Sequence, residues 1–227
     1  MSGVQPGYEN PFGALRQFVR RKKDKDAERC ELCSADVLAD HPHLIEPATR
    51  KLLCSCDACA ILFGGMATRY KRVPRRVVAL ADFRLSDGQW ESLMVPISMA
   101  FFFRSTPDAR VVAFYPSPAG ATESLLPLET WHDLEDANPV LQQIEPDVEA
   151  LLVNRVGHAR GVAAPEYFVL PIDECYKLVG LIRAHWRGLS GGTEVWQEIG
   201  RFFEELKQRA EIVKDEAIER EREEGWV

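Results

Sequence analysis

The sequence predicts a mixed α+β fold, in which a small cysteine-bearing module precedes a larger domain with a mainly antiparallel sheet and a long C-terminal helix. Two observations carry this prediction. Five of the six cysteines fall between Cys30 and Cys59, and the chain that follows alternates short β-rich runs with amphipathic helical stretches. With 227 residues, of which 46% are hydrophobic and 28% are charged, the chain is long enough for one or two folded domains.

The clustered cysteines form two C-x-x-C pairs, Cys30 with Cys33 and Cys56 with Cys59. Two such pairs are typical of a structural metal site, because each tight turn points two thiolates at one ion and two turns complete a tetrahedron. Cys54 is a surplus cysteine. In an extended chain it lies on the same face as Cys56 and could replace it. We therefore predict a metal site whose ligands are the two C-x-x-C pairs, with Cys54 outside it.

The residues around these pairs predict a hairpin and a short helix. His43–Glu46 and Arg50–Leu53 are short β-rich runs on either side of a turn at Pro47. Asp57 is placed to cap a helix over residues 58–63, which Gly64 would end. A knuckle, a hairpin and a helix in this order resemble a treble clef or a zinc ribbon. The helix start also favours thiolates in the second pair, because it carries partial positive charge.

Two histidines, His41 and His43, lie between the pairs and could each replace a cysteine as a ligand. They also resemble the His-rich strand of treble-clef nucleases of the His-Asn-His type. In those nucleases a histidine follows the last cysteine, whereas Ala60 stands there in this chain. No Asn lies between Cys33 and Cys59, so a catalytic metal would lack two of its three usual side chains. These departures argue against nuclease activity.

The chain divides into four predicted segments. They are an N-terminal lead and helix (1–27), the metal-binding module (28–66), an α+β domain (77–210) and a charged helical tail (211–227). Within the domain we expect strands, short helices and two long helices, with a turn-rich loop over residues 116–123. The expected strands are Ile97–Phe103, Arg110–Tyr115, Glu149–Val156 and Glu166–Leu170; the long helices begin at Pro171 and at Thr193, and the second extends as far as Glu224.

The formal net charge of −7 is unevenly distributed. Residues 1–76 hold 14 Lys and Arg against 9 Asp and Glu, so this part carries +5 and the remainder carries −12. The positive charge concentrates in residues 20–25 and 69–76. Such runs are more often solvated connectors than nucleic-acid arms, which would make only phosphate contacts. A nucleic-acid partner is therefore the less favoured interpretation.

The hydropathy pattern argues against a membrane protein. No apolar run approaches the roughly 20 residues needed to cross a bilayer. The first residues lack the apolar core of a signal peptide, so we expect a cytoplasmic protein without a membrane span. In that reducing compartment clustered cysteines favour metal binding over disulfides.

Several stretches of the sequence resemble an uncharacterised bacterial family of unknown function, associated with gene clusters of NiFe uptake hydrogenases. The stretches are Glu31–Cys33, Leu53–Phe63, Ala113–Ser124 and His185–Gly192. The likeness covers residues 12–210. It implies a bacterial, cytoplasmic protein that serves hydrogenase assembly or electron transfer, with a hydrogenase component as its partner, but it brings no established activity.

The chain carries no catalytic signature, and three functional hypotheses follow. The first is a non-catalytic zinc-binding accessory protein that acts through protein–protein contact, because a four-thiolate zinc site has no open position for water. The second is a rubredoxin-like iron electron carrier, since tetrahedral sulfur ligation suits both metals. Rubredoxin-like sites usually place Gly after the second cysteine of each pair, whereas Ser34 and Ala60 stand here. The third is a nucleic-acid-binding zinc module.

Overall fold

The computed structural model describes residues 28–65, 69–124 and 128–213. The strands are β1 His43–Glu46, β2 Lys51–Cys54, β3 Lys71–Arg72, β4 Val78–Leu80, β5 Met99–Ser105, β6 Arg110–Ser117, β7 Gly120–Ser124, β8 Glu149–Asn154, β9 Glu166–Pro171 and β10 Glu211–Val213. The helices are α1 Asp57–Phe63, α2 Asp87–Ser92, α3 Leu128–Ala137, α4 Ile172–His185 and α5 Gly192–Arg209, and single 3₁₀ turns lie at Pro139–Gln143 and His158–Arg160. The predicted lead and helix over 1–27 lie outside the described residues.

The strands form two sheets. The cysteine-bearing module contributes a three-stranded sheet with the order β2-β1-β3. The larger sheet has seven strands in the order β10-β4-β9-β8-β5-β6-β7, and every neighbouring pair is antiparallel except β10 and β4. These sheets, together with the 18-residue helix α5, confirm the predicted α+β class with a mainly antiparallel sheet and a long C-terminal helix.

The centre of the larger sheet is buried on both faces. On one face Phe101 and Phe103 of β5 belong to the core that includes residues of α4 and α5. On the other face Phe102 stacks on Trp131 of α3, with 5.5 Å between the ring centroids. Because both faces are covered, β5 reads in the sequence as a continuous apolar run rather than as an alternation.

The three-stranded sheet packs against the face of the larger sheet that carries α4. Ile45 of β1 is 2% exposed and belongs to the same core as Phe101. In the turn between β1 and β2, the Arg50 guanidinium lies 5.1 Å from the ring centroid of Phe114 and 2.6 Å from an Asp108 carboxylate oxygen. A cation over an aromatic face, with a carboxylate beside it, fixes the orientation of the module on the larger sheet.

The last described residues, 210–213, depart from the predicted helix. Helix α5 stops at Arg209, Ala210 is extended, and Glu211–Val213 adds a strand beside β4. The predicted helical tail is therefore wrong for residues 211–213, and the rest of it lies outside the described residues. The physical reason is that β4 and the residue before it offer backbone groups for pairing, as the 2.9 Å bond from the Glu211 N–H to the Val77 carbonyl shows. The β-branched residues of this segment also suit a strand.

Two local predictions are also corrected. Residues 116–123 form a hairpin rather than a loop, since β6 continues to Ser117 and β7 begins at Gly120. Proline is tolerated at position 116 because β5 pairs with β6 only as far as Phe114. The missing N–H of Pro116 therefore costs no hydrogen bond to β5. Helix α1 begins at Asp57, so that Cys56 rather than Asp57 is its N-cap residue.

The division into a module over 28–66 and a domain over 77–210 stays a prediction, and hydrogen exchange tests it. The larger sheet has helices from its own segment on both faces, whereas the module has strands of two to four residues and one short helix. We expect a strong chelator to remove the protection of amides in residues 28–65 and to leave the strands β5, β6, β8 and β9 protected, because metal binding supplies folding free energy only to the module. Loss of protection in both parts at one chelator concentration would show a single cooperative unit.

Candidate metal centre

The first cysteine pair lies in a tight turn that the backbone closes twice. The Ser34 N–H donates to the Cys30 carbonyl at 2.8 Å, and the Cys30 N–H donates to the Ala35 carbonyl at 2.8 Å. Ser34 has a φ of 63°, in the left-handed region that favours glycine. The position after the second cysteine thus has the backbone conformation of a glycine, although its residue is serine.

The second pair is held by the start of α1. Cys56 is the N-cap residue, and Cys59 lies in the first turn, where it is 5% exposed. At its other end α1 stops at Gly64, whose added Cβ would lie 2.4 Å from the Ala60 carbonyl oxygen and 2.9 Å from Cβ of Arg72. Only glycine allows this approach, so Gly64 fixes how closely α1 packs against β3.

Glu31 joins the two pairs through the backbone of β2. Its N–H donates to the Cys54 carbonyl at 2.9 Å, and its carboxylate accepts from the Cys54 N–H at 2.9 Å. A neighbouring crosslink is made by Ser55, whose N–H and hydroxyl both donate to the Pro42 carbonyl. The turn that carries the first pair is therefore fixed to the strand that leads into the second.

The structure brings the four predicted cysteines together. We call this group the four-cysteine cluster (Cys30, Cys33, Cys56, Cys59); its sulfur atoms all lie within 4.8 Å of one another. The Sγ atoms of Cys33 and Cys56 are 3.7 Å apart. A tetrahedral ion with metal–sulfur bonds of about 2.3 Å sets its sulfurs about 3.8 Å apart. The cluster could therefore hold one metal ion with little rearrangement, and it contains Cys56 rather than Cys54.

The thiols of the cluster differ in their acidity. Burial raises the pKa of Cys30, but hydrogen bonds from the backbone N–H groups of Cys56, Cys33 and Leu32 outweigh it and lower the pKa to about 6. Burial and hydrogen bonds to the other three sulfurs raise the pKa of Cys59 to about 12. Several thiolates at such short distances repel one another, so a cation among them is what would allow all four to ionise.

A second group of potential ligands lies beside the first. His41, His43 and Cys54, which we call the His-His-Cys cluster, each offer a ligand atom within 4.8 Å of the others. Sequence reasoning considered the two histidines as substitutes for a cysteine in the first site or as the strand of a nuclease, and considered Cys54 only as a replacement for Cys56. The predicted hairpin could have revealed this group, because pairing β1 with β2 places His43 directly opposite Cys54.

The basic segment 69–76 is largely neutralised within the protein. Four of its side chains form ion pairs with carboxylates from three parts of the chain. The pairs are Arg69 with Glu46, Lys71 with Asp147 at 2.7 Å, Arg75 with Asp40 at 3.0 Å, and Arg76 with Glu149 at 2.5 Å. These side chains serve to attach β3 and the connecting segment to both sheets.

Single Cys→Ser substitutions test the ligand set. Each substitution in the four-cysteine cluster should lose the tightly held ion, because serine is a poor ligand for a soft site and three thiolates leave the tetrahedron incomplete. Cys54→Ser should retain that ion. The measurement is metal content after dialysis against a weak chelator. Retention in Cys56→Ser together with loss in Cys54→Ser would show that the second pair is assigned in the wrong register.

Comparison with known proteins adds a family but no activity. None of the helices in the described part of the chain combines the length and the apolar character needed to cross a bilayer. No curated protein and no solved structure matches the chain. The model of a family of unknown function (DUF5947) matches residues 29–210, which include the four-cysteine cluster and most of both sheets. The match confirms the resemblance to an uncharacterised family, without a link to hydrogenases. Because it spans well over half of the 227 residues, the chain belongs to this family of unknown function.

Proposed function

We propose that the protein is a non-catalytic accessory protein, in which the four-cysteine cluster holds one structural Zn²⁺ ion in a treble-clef-like module. The observation that carries this proposal is the arrangement of four sulfurs within 4.8 Å, contributed by a turn and by a helix start on either side of a hairpin. Zinc in such a site has no redox chemistry and no open coordination position, so its role is to fix the fold.

The size of the module supports a structural role for the ion. Its strands and helix are too short to bury a core of their own, and part of its apolar surface, such as Ile45, is used in the core of the larger sheet. In small modules of this kind metal binding contributes most of the folding free energy. The ion would join the turn of Cys30 and Cys33 to the start of α1. In the sequence, β1 and β2 separate these two parts of the module.

Contact with a partner protein is supported by the exposed face of α1. The residues that follow the ligand Cys59 include Ile61 and Leu62, which are 72% and 69% exposed. Two adjacent exposed aliphatic side chains on a helix whose other face is held by a metal form a rigid apolar surface. The nucleic-acid alternative has less support, because the cations of residues 69–76 described above are paired with carboxylates.

An iron-containing electron carrier is the second candidate, and the exposure of Cys33 favours it. Cys33 lies at the surface, while Cys30 and Cys59 are buried, so one sulfur would be accessible to an electron-transfer partner. Against iron stands the serine at position 34, where rubredoxin-like sites have glycine, although its φ of 63° is glycine-like. Tetrahedral sulfur ligation accommodates both metals.

The identity of the metal separates these candidates. We expect protein purified without oxygen to be colourless and to contain one zinc and no iron per chain after dialysis against a weak chelator, because Zn²⁺ has a filled d shell and a closed four-thiolate site retains it. The measurement is elemental analysis together with the visible spectrum. A red protein that contains iron would replace the zinc proposal with the electron-carrier proposal.

The proposed contact surface is tested by site-specific photocrosslinking in the natural host. A photoreactive residue at position 62 should yield an adduct with one protein, and Ile61→Glu should abolish that adduct, because a charge in an apolar interface is strongly unfavourable. The sequence resemblance implies a hydrogenase context, so we expect the crosslinked partner to be a hydrogenase component. The control is the same photoreactive residue at Val162, which is 77% exposed and lies in the loop between β8 and β9. Equal adducts from both positions, or none from position 62, would contradict the contact proposal.

A further inference from the structure

The two histidines of the His-His-Cys cluster have the hydrogen bonds of metal ligands. Nδ1 of His41 lies 2.7 Å from the Leu38 carbonyl oxygen, and Nδ1 of His43 lies 2.7 Å from a carboxylate oxygen of Asp173. A carbonyl oxygen only accepts, so Nδ1 of His41 carries the proton, and the carboxylate selects the same tautomer in His43. In the neutral form of each ring, Nε2 then has a free lone pair. Metal-bound histidines almost always donate their other ring N–H to a carbonyl or carboxylate in this way.

One of these Nε2 atoms is buried without a partner. The His41 side chain is 5% exposed, and its Nε2 accepts no hydrogen bond. Buried polar atoms in folded proteins are nearly always hydrogen-bonded, because an unsatisfied acceptor loses its hydration without compensation. A cation coordinated by Nε2 would satisfy this atom. The unsatisfied Nε2 of His41 is an observation independent of the clustering of the three donors, and it too indicates a bound ligand.

The third donor is a thiol at a fixed place. Cys54 lies opposite His43 in the β1–β2 register, and its backbone is held from the other side by Glu31. In a tetrahedral zinc site the nitrogen and sulfur donors stand about 3.3 to 3.6 Å apart. One ring nitrogen of each histidine and the Cys54 Sγ already lie within 4.8 Å of one another. These atoms would therefore close by no more than about 1.5 Å. Adjustments of this size are within reach of side-chain rotation at a half-exposed cysteine.

We propose that His41, His43 and Cys54 form a second metal site, separate from the four-cysteine cluster, that binds a divalent cation of borderline softness such as Zn²⁺. Two imidazoles and one thiolate suit Zn²⁺, whereas Mg²⁺ and Ca²⁺ require oxygen ligands. Three protein donors leave the fourth position of the tetrahedron to water or an external ligand, so this ion exchanges more readily than one held by four thiolates.

Asp173 acts as a positioning residue for this site. It lies in the first turn of α4, and its second oxygen, Oδ1, is buried without a partner. The carboxylate therefore fixes the ring of His43 from the larger domain, while His43 itself belongs to β1 of the module. Binding of the second ion is in this way linked to the docking of the module on α4.

Metal stoichiometry of the full-length chain tests the proposal. Reduced protein with its four-cysteine cluster loaded is dialysed against excess Zn²⁺, and bound zinc is counted by elemental analysis and by native mass spectrometry. We expect two ions per chain in the wild type and one in both His41→Ala and Cys54→Ser. Asp173→Ala should keep the site but weaken it about 10- to 100-fold, as loss of such a supporting hydrogen bond typically does.

A matched control and a spectroscopic probe complete the test. His185→Ala should bind two ions. His185, the last residue of α4, pairs with Glu194 of α5 and belongs to neither cluster. Co²⁺ titrated into protein that holds zinc in the four-cysteine cluster alone should produce the absorption of a site with one thiolate, and Cys54→Ser should remove it. One ion per chain in the wild type at saturating Zn²⁺, or two in Cys54→Ser, would overturn the proposal. If His41→Ala unfolds and loses both ions, Cys54→Ser decides, because it exchanges one atom of a half-exposed side chain.

Discussion

Burial of β5 and β8 on both faces is the constraint on which the rest of the fold depends. Phe101, Phe102, Leu151 and Leu152 are fully buried, and alternate residues point to opposite sides of the sheet. Two layers of structure must therefore cover these strands. Helices α4 and α5 together with the cysteine-bearing module contribute to one layer, and α2 and α3 to the other. The module is thus part of the covering of a large apolar sheet.

This placement gives the two ligand clusters different surroundings. The four-cysteine cluster is built within the module and faces outward at Cys33. The His-His-Cys cluster lies where the module meets α4, since His43 is bonded to Asp173. A closed four-thiolate site fixes structure, whereas a three-donor site leaves an open position. The four-cysteine cluster thus uses residues before and after the β1–β2 hairpin, whereas the His-His-Cys cluster uses His43 and Cys54 of the hairpin itself.

The basic segment shows how the same residues can suggest a function in sequence and serve structure in three dimensions. Lys71 bonds to Asp147, which is 2% exposed and also accepts from the Thr106 N–H. Arg76 makes two bonds to Glu149, which is 1% exposed. Buried carboxylates of this kind require a cation, because an unpaired buried charge is strongly destabilising. The positive charge of residues 69–76 therefore serves to attach the module to the larger sheet.

The sequence by itself determined the α+β class, most strands, and the meeting of the two C-x-x-C pairs, because these depend on local periodicity and on cysteine spacing. It also predicted the long helix that opens at Pro171. The tertiary structure alone decided the strand at Glu211–Val213 and the grouping of His41 with Cys54. These features arise from hydrogen bonds and approaches between residues distant in the chain, which one-dimensional patterns do not contain. The same holds for the bond of His43 to Asp173, which spans 130 positions and exists only because the module covers the sheet beside α4.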